Sequence, residues 1–271
     1  MKRLVLIGLT LTTLSFGREY TSLTNSQRSI NVDTMHAFSM HGLRLYSCPV
    51  SHAKVLPPGE SEVSPVVGAA SACLFLEDFE DGPLQYFNLP NDPDFMTAGY
   101  LNQLGQDGWR LDGCPLSAAE VSEDGKRAHG IAETCWISRL REISQKWQYR
   151  DVLNISSEIT LDKLNALGLE GWKLVACPAN TFITLGENEE HSASTTCWFS
   201  KMETDDPVPL WEYLVVANDE GSRELDSLNQ LLEEGWSIAE CPIDGIKSAE
   251  DPDVLDVGAG ATQCWYVREV L

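Results

Sequence analysis

Cysteine offers this chain more chemistry than any other residue type: a metal ligand, a redox nucleophile or half of a crosslink. There are eight, Cys48, Cys73, Cys114, Cys135, Cys177, Cys197, Cys241 and Cys264. None stands in C-x-x-C spacing, and His36, His41, His52, His129 and His191 follow no common register with them. Zinc needs clustered ligands, and catalytic thiols sit close together at a helix start. Neither pattern is present, which leaves crosslinking.

The spacing of the cysteines belongs to a larger repeat. A glycine precedes one cysteine of each pair by six positions: Gly42, Gly108, Gly171 and Gly235. Proline follows that cysteine at Pro49, Pro115, Pro178 and Pro242. The second cysteine opens a Cys-Trp pair with Trp136, Trp198 and Trp265, or Cys-Leu with Leu74. A tyrosine lies 22 positions before each glycine, at Tyr20, Tyr86, Tyr149 and Tyr213. Self-similarity of this kind, with a period of roughly 65 residues, marks a tandem array. The pairs singled out are Cys48–Cys73, Cys114–Cys135, Cys177–Cys197 and Cys241–Cys264. Each would close a loop of roughly 20 residues and add about 3 kcal/mol by restricting the unfolded chain. For units of this size, whose cores are marginal, that is a large share of the stability.

The elements that must position the cysteines are legible in each copy. Aromatic and β-branched residues around the tyrosine, such as Trp147 to Leu153 and Trp211 to Val216, read as a first strand. Leucines at spacings of three (Leu161, Leu164, Leu167; Leu225, Leu228, Leu231) suit one face of a short helix. Thr97 and Thr160 suit N-caps. The glycine suits a left-handed helix end. Trp172, Leu174 and Ala176 then alternate with Lys173, Val175 and Cys177, giving a strand with one apolar and one mixed face. A polar loop follows, and the Cys-Trp segment opens the last strand. The fold class is α+β: four tandem β-α-β-β repeats, each a small sheet with one helix on one face and one internal disulfide. The boundaries are repeat 1 (diverged) at 18–77, repeat 2 at 83–140, repeat 3 at 146–202 and repeat 4 at 209–270. Short linkers imply that the units pack on one another, in pairs or in a line. Exposed strand edges could join chains into an oligomer or filament.

The junction Leu169-Glu170-Gly171-Trp172-Lys173-Leu174-Val175 resembles that of a widespread family of small uncharacterised bacterial domains, a domain of unknown function. Their helix ends in an E-G-W-x-L-V pattern between an aromatic first strand and a final hairpin. Glu234-Gly235-Trp236-Ser237-Ile238 is similar, Asp107-Gly108-Trp109-Arg110-Leu111 looser, and His41-Gly42-Leu43 loosest. The resemblance implies the β-α-β-β fold once per copy. The cysteine pairs depart from that family and suggest a secreted offshoot. The family carries no assigned activity, so the resemblance implies none.

Residues 1–17 read as a signal peptide: Lys2 and Arg3, an apolar run from Leu4 to Leu14, then Ser15 and Gly17 ahead of a cut before Arg18. That implies a secreted or periplasmic protein, in a compartment where disulfides persist. No later apolar run is long enough for a membrane span. The chain carries 41 acidic against 19 basic residues, a net charge of −22. Such a surface repels phosphate backbones, which argues against nucleic acid. Acidic pairs such as Glu77-Asp78, Asp205-Asp206 and Glu233-Glu234 read as solvated surface.

No nucleophile elbow, phosphate loop or dinucleotide fingerprint is present, so neither catalysis nor a cofactor is expected. Asn91-Asp92-Pro93-Asp94 and Asp251-Pro252-Asp253-Val254-Leu255-Asp256 are weak candidates for calcium. Asn154-Ile155-Ser156 is a glycosylation sequon. Trp109, Trp172 and Trp236 read as core. Trp136, Trp198 and Trp265, beside the crosslinked cysteines, also read first as core but are the candidate partner-binding residues, with ring and sulfur on opposite faces of the strand. The loops between the cysteines vary (Pro57-Pro58-Gly59 in one, Glu187 to His191 in another) on a fixed scaffold, which is where recognition usually lives. The expected role is binding, structure or assembly, with a protein or glycan partner outside the cytosol. A secreted enzyme inhibitor or a polysaccharide-acting enzyme is the alternative.

Overall fold

The computed structural model describes residues 19–24, 31–48, 54–55, 66–67, 72–77, 82–115, 118–121, 127–141, 145–154, 158–179, 182–184, 194–218, 224–242, 245–248 and 257–270. Residues 1–17, expected to be a signal peptide, and Pro57 to Gly59, Glu187 to His191 and Asp251 to Asp256 lie outside them.

Unit 1 is β1 (Tyr20–Thr24), α1 (Val32–Met40), β2 (Leu43–Ser47), the short β3 (Lys54–Val55) and β4 (Val66–Val67), and β5 (Ala72–Glu77). Unit 2 is β6 (Leu84–Pro90), α2 (Ala98–Gln106), β7 (Arg110–Gly113), β8 (Ala118–Val121), β9 (Arg127–Ile131) and β10 (Thr134–Leu140). Unit 3 is β11 (Lys146–Leu153), α3 (Leu161–Leu169), β12 (Lys173–Ala176), β13 (Phe182–Thr184) and β14 (Thr196–Glu203). Unit 4 is β15 (Leu210–Ala217), α4 (Leu225–Glu233), β16 (Ser237–Glu240), β17 (Gly245–Ser248), β18 (Val257–Gly260) and β19 (Gln263–Val270). In every unit the last strand lies between the other two and runs antiparallel to both, in the orders β1-β5-β2, β6-β10-β7, β11-β14-β12 and β15-β19-β16.

Local sequence sets each helix. Thr97 Oγ1 accepts from the Tyr100 N–H and Thr160 Oγ1 from Lys163, while Asn31 does the same for Thr34. α4 begins at Glu224 with no side-chain cap. The terminating glycines take φ between 76° and 87° at Gly42, Gly108, Gly171 and Gly235, where a Cβ is strained. Leu164 and Leu167 are buried, but Leu161 and Leu225 are exposed: as the first residue of its helix, each precedes the turn that meets the sheet. The middle rung of the next turn is filled by Gly105 and Gly168 instead.

The four disulfides are Cys48–Cys73, Cys114–Cys135, Cys177–Cys197 and Cys241–Cys264, one per unit. Each ties the end of the second strand to the start of the last.

The units are arranged neither in pairs nor in a line. They close into a ring. α1 packs on β6, α2 on β11, α3 on β15, and α4 returns to β1. The second strands touch in the same cycle, β2 to β7, β7 to β12, β12 to β16 and β16 to β2. There are accordingly four cores, and each is shared. Met35, Leu45 and Phe75 of unit 1 meet Leu84, Tyr86 and Trp136 of unit 2. Leu101, Leu111 and Ile137 meet Tyr149 and Trp198. Leu164, Leu174 and Phe199 meet Tyr213 and Trp265. Leu228, Trp236 and Ile238 meet Tyr20, Leu74 and Leu76. One face of each sheet is covered by its own helix and the other by the preceding unit, so a unit that is too small to bury a core alone borrows half of one from its neighbour.

The repeated tyrosine fastens each joint. The hydroxyls of Tyr86, Tyr149, Tyr213 and Tyr20 accept from the backbone N–H of Leu45, Leu111, Leu174 and Ile238 in the preceding unit. The backbone N–H of the same tyrosines donates to His36 Nε2, Asn102 Oδ1, Asn165 Oδ1 and Asn229 Oδ1 on the preceding helix. Those N–H groups lie on the outer edge of the first strand. The helix therefore occupies donors of an edge that could otherwise pair with another chain. Tyr149 and Tyr213 also donate their hydroxyls, to the Trp109 and Trp172 carbonyls, and burial raises the pKa of all four phenols above the ordinary tyrosine value.

Candidate functional site at the axis of the ring

Ring closure puts the second strands β2, β7, β12 and β16 around a common axis. Their mixed faces point inward. Each carries an irregularity at one place, between Leu45 and Ser47, Leu174 and Ala176, and Ile238 and Glu240, with the counterpart in unit 2 between Leu111 and Gly113. A bulge adds one unpaired residue and re-aims its side chain. The four bulged residues are Tyr46, Asp112, Val175 and Ala239, and all four line the axial space. Two positions earlier in each strand stand Arg44, Arg110, Lys173 and Ser237.

The resulting cavity measures about 380 Å3 and is walled by residues of all four units. Leu45, Leu111, Leu174 and Ile238 border it between the inward-facing positions, with their side chains in the shared cores, and Trp147 and Trp211 flank it together with Val208 and Pro209. Arg44, Arg110 and Lys173 supply three cations. Arg110 is held by Asp112, whose Oδ1 accepts from Nε at 2.9 Å and from an η nitrogen at 2.5 Å. Lys173 places its ammonium 4.5 Å from the Trp211 ring centre, a cation–π contact, and makes no ion pair among the described residues. Burial lowers the Lys173 pKa, and Arg110 and Arg44 add to that by repulsion against the opposing pull of Tyr46 and Glu269. Burial alone would raise the Tyr46 phenol; Lys173, a hydrogen bond with Ser237, Arg110 and Arg44 outweigh it and the pKa falls below the ordinary value.

Toward the disulfide end of the axis, Glu240 bridges two units. Its carboxylate accepts from the backbone N–H of Cys177 in unit 3 and of Cys241 in its own, both at 2.9 Å. Burial pushes its pKa up to about 7, against the pull of those two donors. Beyond it the short strands that lie between the paired cysteines meet. β9 of unit 2 pairs with both β8 and β13 of unit 3, and β17 pairs with β18. β3 touches β8 and β18, and β9 touches β18. Hairpins from all four units form one composite end face.

The tryptophans are a correction. Trp136, Trp198 and Trp265 are 6%, 4% and 3% exposed, so they have no ring to offer a partner. Ring and sulfur do lie on opposite faces, but the face away from the sulfur meets the preceding unit's core instead of solvent. The less buried set is Trp109 and Trp172, at the other end of the second strand, under Arg139 at 4.4 Å and Lys201 at 5.9 Å. Trp236, beneath Arg268 at 4.3 Å, is buried.

The sequon is also corrected. Asn154 is 2% exposed; its side chain donates to the Ser194 carbonyl and accepts from the Ile159 N–H. Asn91 and Asn218 occupy the same place in units 2 and 4, donating to the Ala132 and Ala261 carbonyls. In the calcium candidate at Asn91 to Asp94, Asp92 Oδ1 is engaged by the Asp94 N–H. No group of three or more His, Cys, Asp or Glu residues suited to a metal occurs among the described residues. The acidic residues Asp205, Asp206, Glu233 and Glu234 are exposed, as solvated surface should be.

Sequence reasoning missed the axial cations, although Arg44, Arg110 and Lys173 share one register two places after the glycine. It also missed the residue six places before the glycine, His36, Asn102, Asn165 and Asn229, which recurs just as the tyrosine does. No protein-family model, no curated protein and no solved structure matches this chain. Four disulfides are the mark of an oxidising environment, extracellular or periplasmic. No helix among the described residues is long and apolar enough to cross a membrane.

Proposed function

We propose that this is a secreted or periplasmic binding scaffold, delivered by the leader at residues 1–17, that engages a protein or glycan through its composite hairpin face. One observation supports the reading: the segments between the paired cysteines vary in length and sequence between copies, and the short strands described within them, from all four units, meet at one end of the ring. A constant ring with variable connections at one end is the arrangement in which loops recognise and the scaffold positions. Crosslinks at the base of each hairpin reduce the entropy lost when that face is occupied. Inhibition of an enzyme by an inserted hairpin is a special case of the same face. Relation of each unit to the small bacterial domains with an E-G-W-x-L-V junction belongs to the same proposal.

The test is to shorten the hairpins while keeping the ring. In one variant, residues 116–130 are replaced by a short Gly-Ser turn, leaving the Cys114–Cys135 disulfide; in another, residues 245–258 are treated likewise. Wild type and variants are then used to capture partners from the native extracellular medium, with identification by mass spectrometry. The reading expects a saturable partner that the variants lose while their thermal unfolding stays cooperative. Equal capture by ring and hairpin-shortened ring would move recognition elsewhere on the molecule.

A further inference from the structure

The axial cavity is separate from the hairpin face, and the three cations that line it are not equivalent. Arg110 is engaged by Asp112 through both Nε and an η nitrogen. Arg44 has an interaction partner as well. Lys173 differs: its ammonium makes no hydrogen bond or ion pair among the described residues and rests 4.5 Å from the centre of the Trp211 ring. On β12 it pairs with Ser200 of β14. Directly paired residues share a face of the sheet, so the two side chains stand together. Ser200 lines the same space, is 1% exposed, and its hydroxyl has no hydrogen-bond partner among the described residues. An amine and a hydroxyl, neither committed to the fold, thus share one wall of a cavity of about 380 Å3. A permanent anion would be poorly served there, because both guanidinium groups are engaged and Asp112 and Glu269 line the same space. A lysine that is desolvated or stands near other cations yields a neutral amine readily, and the neutral amine attacks carbonyl carbon.

We propose that Lys173 is a covalent site for a small aldehyde with an apolar body, which lies between Trp147 and Trp211 in the axial cavity and is captured as an imine. The volume falls in the range of pockets that enclose small molecules. The Nζ lone pair adds to the carbonyl carbon and forms the C–N bond, while the carbonyl oxygen takes a proton from the nitrogen. The resulting hydroxyl then leaves as water with the second nitrogen proton, and the C=N bond remains. One water is released per aldehyde taken up, with no oxidant or reductant. Ser200 offers the departing oxygen a hydroxyl. The direction in which Lys173 titrates agrees with this placement: burial lowers its pKa, and Arg110 and Arg44 add to that, against the opposing pull of Tyr46 and Glu269. With Asp112, these are the charged and titratable groups that line the cavity with it.

The full disulfide-bonded chain is incubated with benzaldehyde and cyanoborohydride, which reduces an imine to a stable secondary amine. The labelling rate of each lysine is read by peptide mass spectrometry. At neutral pH, Lys173 is expected to label about 10-fold faster than the exposed Lys146 and the half-buried Lys163, with a rate that saturates with benzaldehyde. Formaldehyde, which lacks the apolar body, is expected to show a smaller preference for Lys173. Labelling of Lys173 no faster than of Lys146 would overturn the site, and this comparison needs no variant. Fast labelling without saturation, or an equal preference with formaldehyde, would overturn the part given to the cavity walls. Ser200→Ala removes a hydroxyl that holds nothing in the fold, so its unfolding midpoint should match wild type. It is expected to slow labelling of Lys173 about 5-fold, the worth of one hydrogen bond. Labelling of Lys173 in Ser200→Ala at the wild-type rate would overturn the part given to Ser200.

Discussion

The four joints of the ring share their hydrogen bonds but not their packing, and the contrast is sharpest between the joint of units 3 and 4 and the joint that closes unit 4 on unit 1. In the first, Gly168 lies so near the Trp211 carbonyl that a Cβ would collide with it, and Gly105 stands likewise against Trp147. In the second, the residue of α4 in the same register is Leu232, and the sequence has Arg18 where Trp211 and Trp147 stand. The plug from the central strand is Trp265 in one and Leu74 in the other. Yet the tyrosine bonds are present at both: Tyr213 to Asn165 and Leu174 at 2.7 Å each, Tyr20 to Asn229 and Ile238 at 2.8 and 3.1 Å. Hydrogen bonds set the register of one unit on the next, and the small helix residue sets the distance. Three joints are backed by a continuous chain. The closing one is not, and it must absorb whatever angular mismatch the others accumulate, which a looser, side-chain-filled contact can do.

The largest effect should come from filling the tight joint. Gly168→Ala puts a methyl group where backbone already is, and backbone cannot swing aside as a side chain can. Overpacking of that kind costs about 3 kcal/mol. Leu232→Ala at the closing joint removes part of a half-buried side chain and should cost about 1 kcal/mol. Chemical denaturation of both compares them; a tolerated Gly168→Ala would mean the helix and strand can separate without loss, and the distinction between joints would vanish.

Next in size is the tyrosine hydroxyl. Tyr213→Phe strips the buried Leu174 N–H of its acceptor, an omission worth about 2 kcal/mol. Tyr20→Phe does the same to Ile238 but at a joint that opens more readily, so its cost to global stability should be about half. Hydrogen exchange sharpens the point without mutation: the Ile238 amide should exchange faster than those of Leu174 and Leu111. Equal protection at the three would show the ring to be uniformly closed.

How much of this was legible follows from the range of each signal. Short spacings carried the helix ends, the Thr97 and Thr160 caps, the glycine turns and the pairing of Cys177 with Cys197, because each is decided within one unit. The ring was not, because the bonds that close it run between units: Tyr149 answers Asn102, and Tyr213 answers Asn165. Both partners recur in register, so the signal was in the sequence, but nothing local says that a polar residue on one helix meets a strand in the next copy. Trp198 shows the same limit. Its alternation with Cys197 was readable; that the far face is another unit's core was not. The axial cations Arg110 and Lys173 appeared as one half of a mixed strand face, and only closure turns that face into a cavity wall.

A circular permutant sets the comparison on its head. Joining the end of β19 to Tyr20 through a linker as long as the segment 204–209, and opening the chain between Arg141 and Gln145, tethers the loose joint and frees a tight one. Packing at Gly105 should hold the cut joint closed, so the permutant should fold and unfold about 1 kcal/mol above wild type, with the Ile238 amide now protected like the others. A permutant less stable than wild type would show that the chain tether, and not Gly105 against Trp147, holds units 2 and 3 together.

The smallest effect is confined to a pH window. Glu240, between the Cys177 and Cys241 amides, has its pKa raised from the ordinary carboxylate value to about 7, chiefly by burial. The folded protein therefore keeps this proton in a range where the unfolded chain has lost it. Stability from the group is full below about pH 4.5 and falls as pH rises toward 7, after which it stays low. Partial access of solvent to the side chain reduces the swing to about 1 kcal/mol. Glu240→Ala abandons two amide donors at every pH, a constant loss, and removes the titration. The stability difference between wild type and Glu240→Ala should therefore be greatest near pH 5 and shrink by pH 8. A difference that grew with pH would mean that the carboxylate is held as an anion by its two amides, and that the joint of units 3 and 4 is fastened by charge as well as by packing.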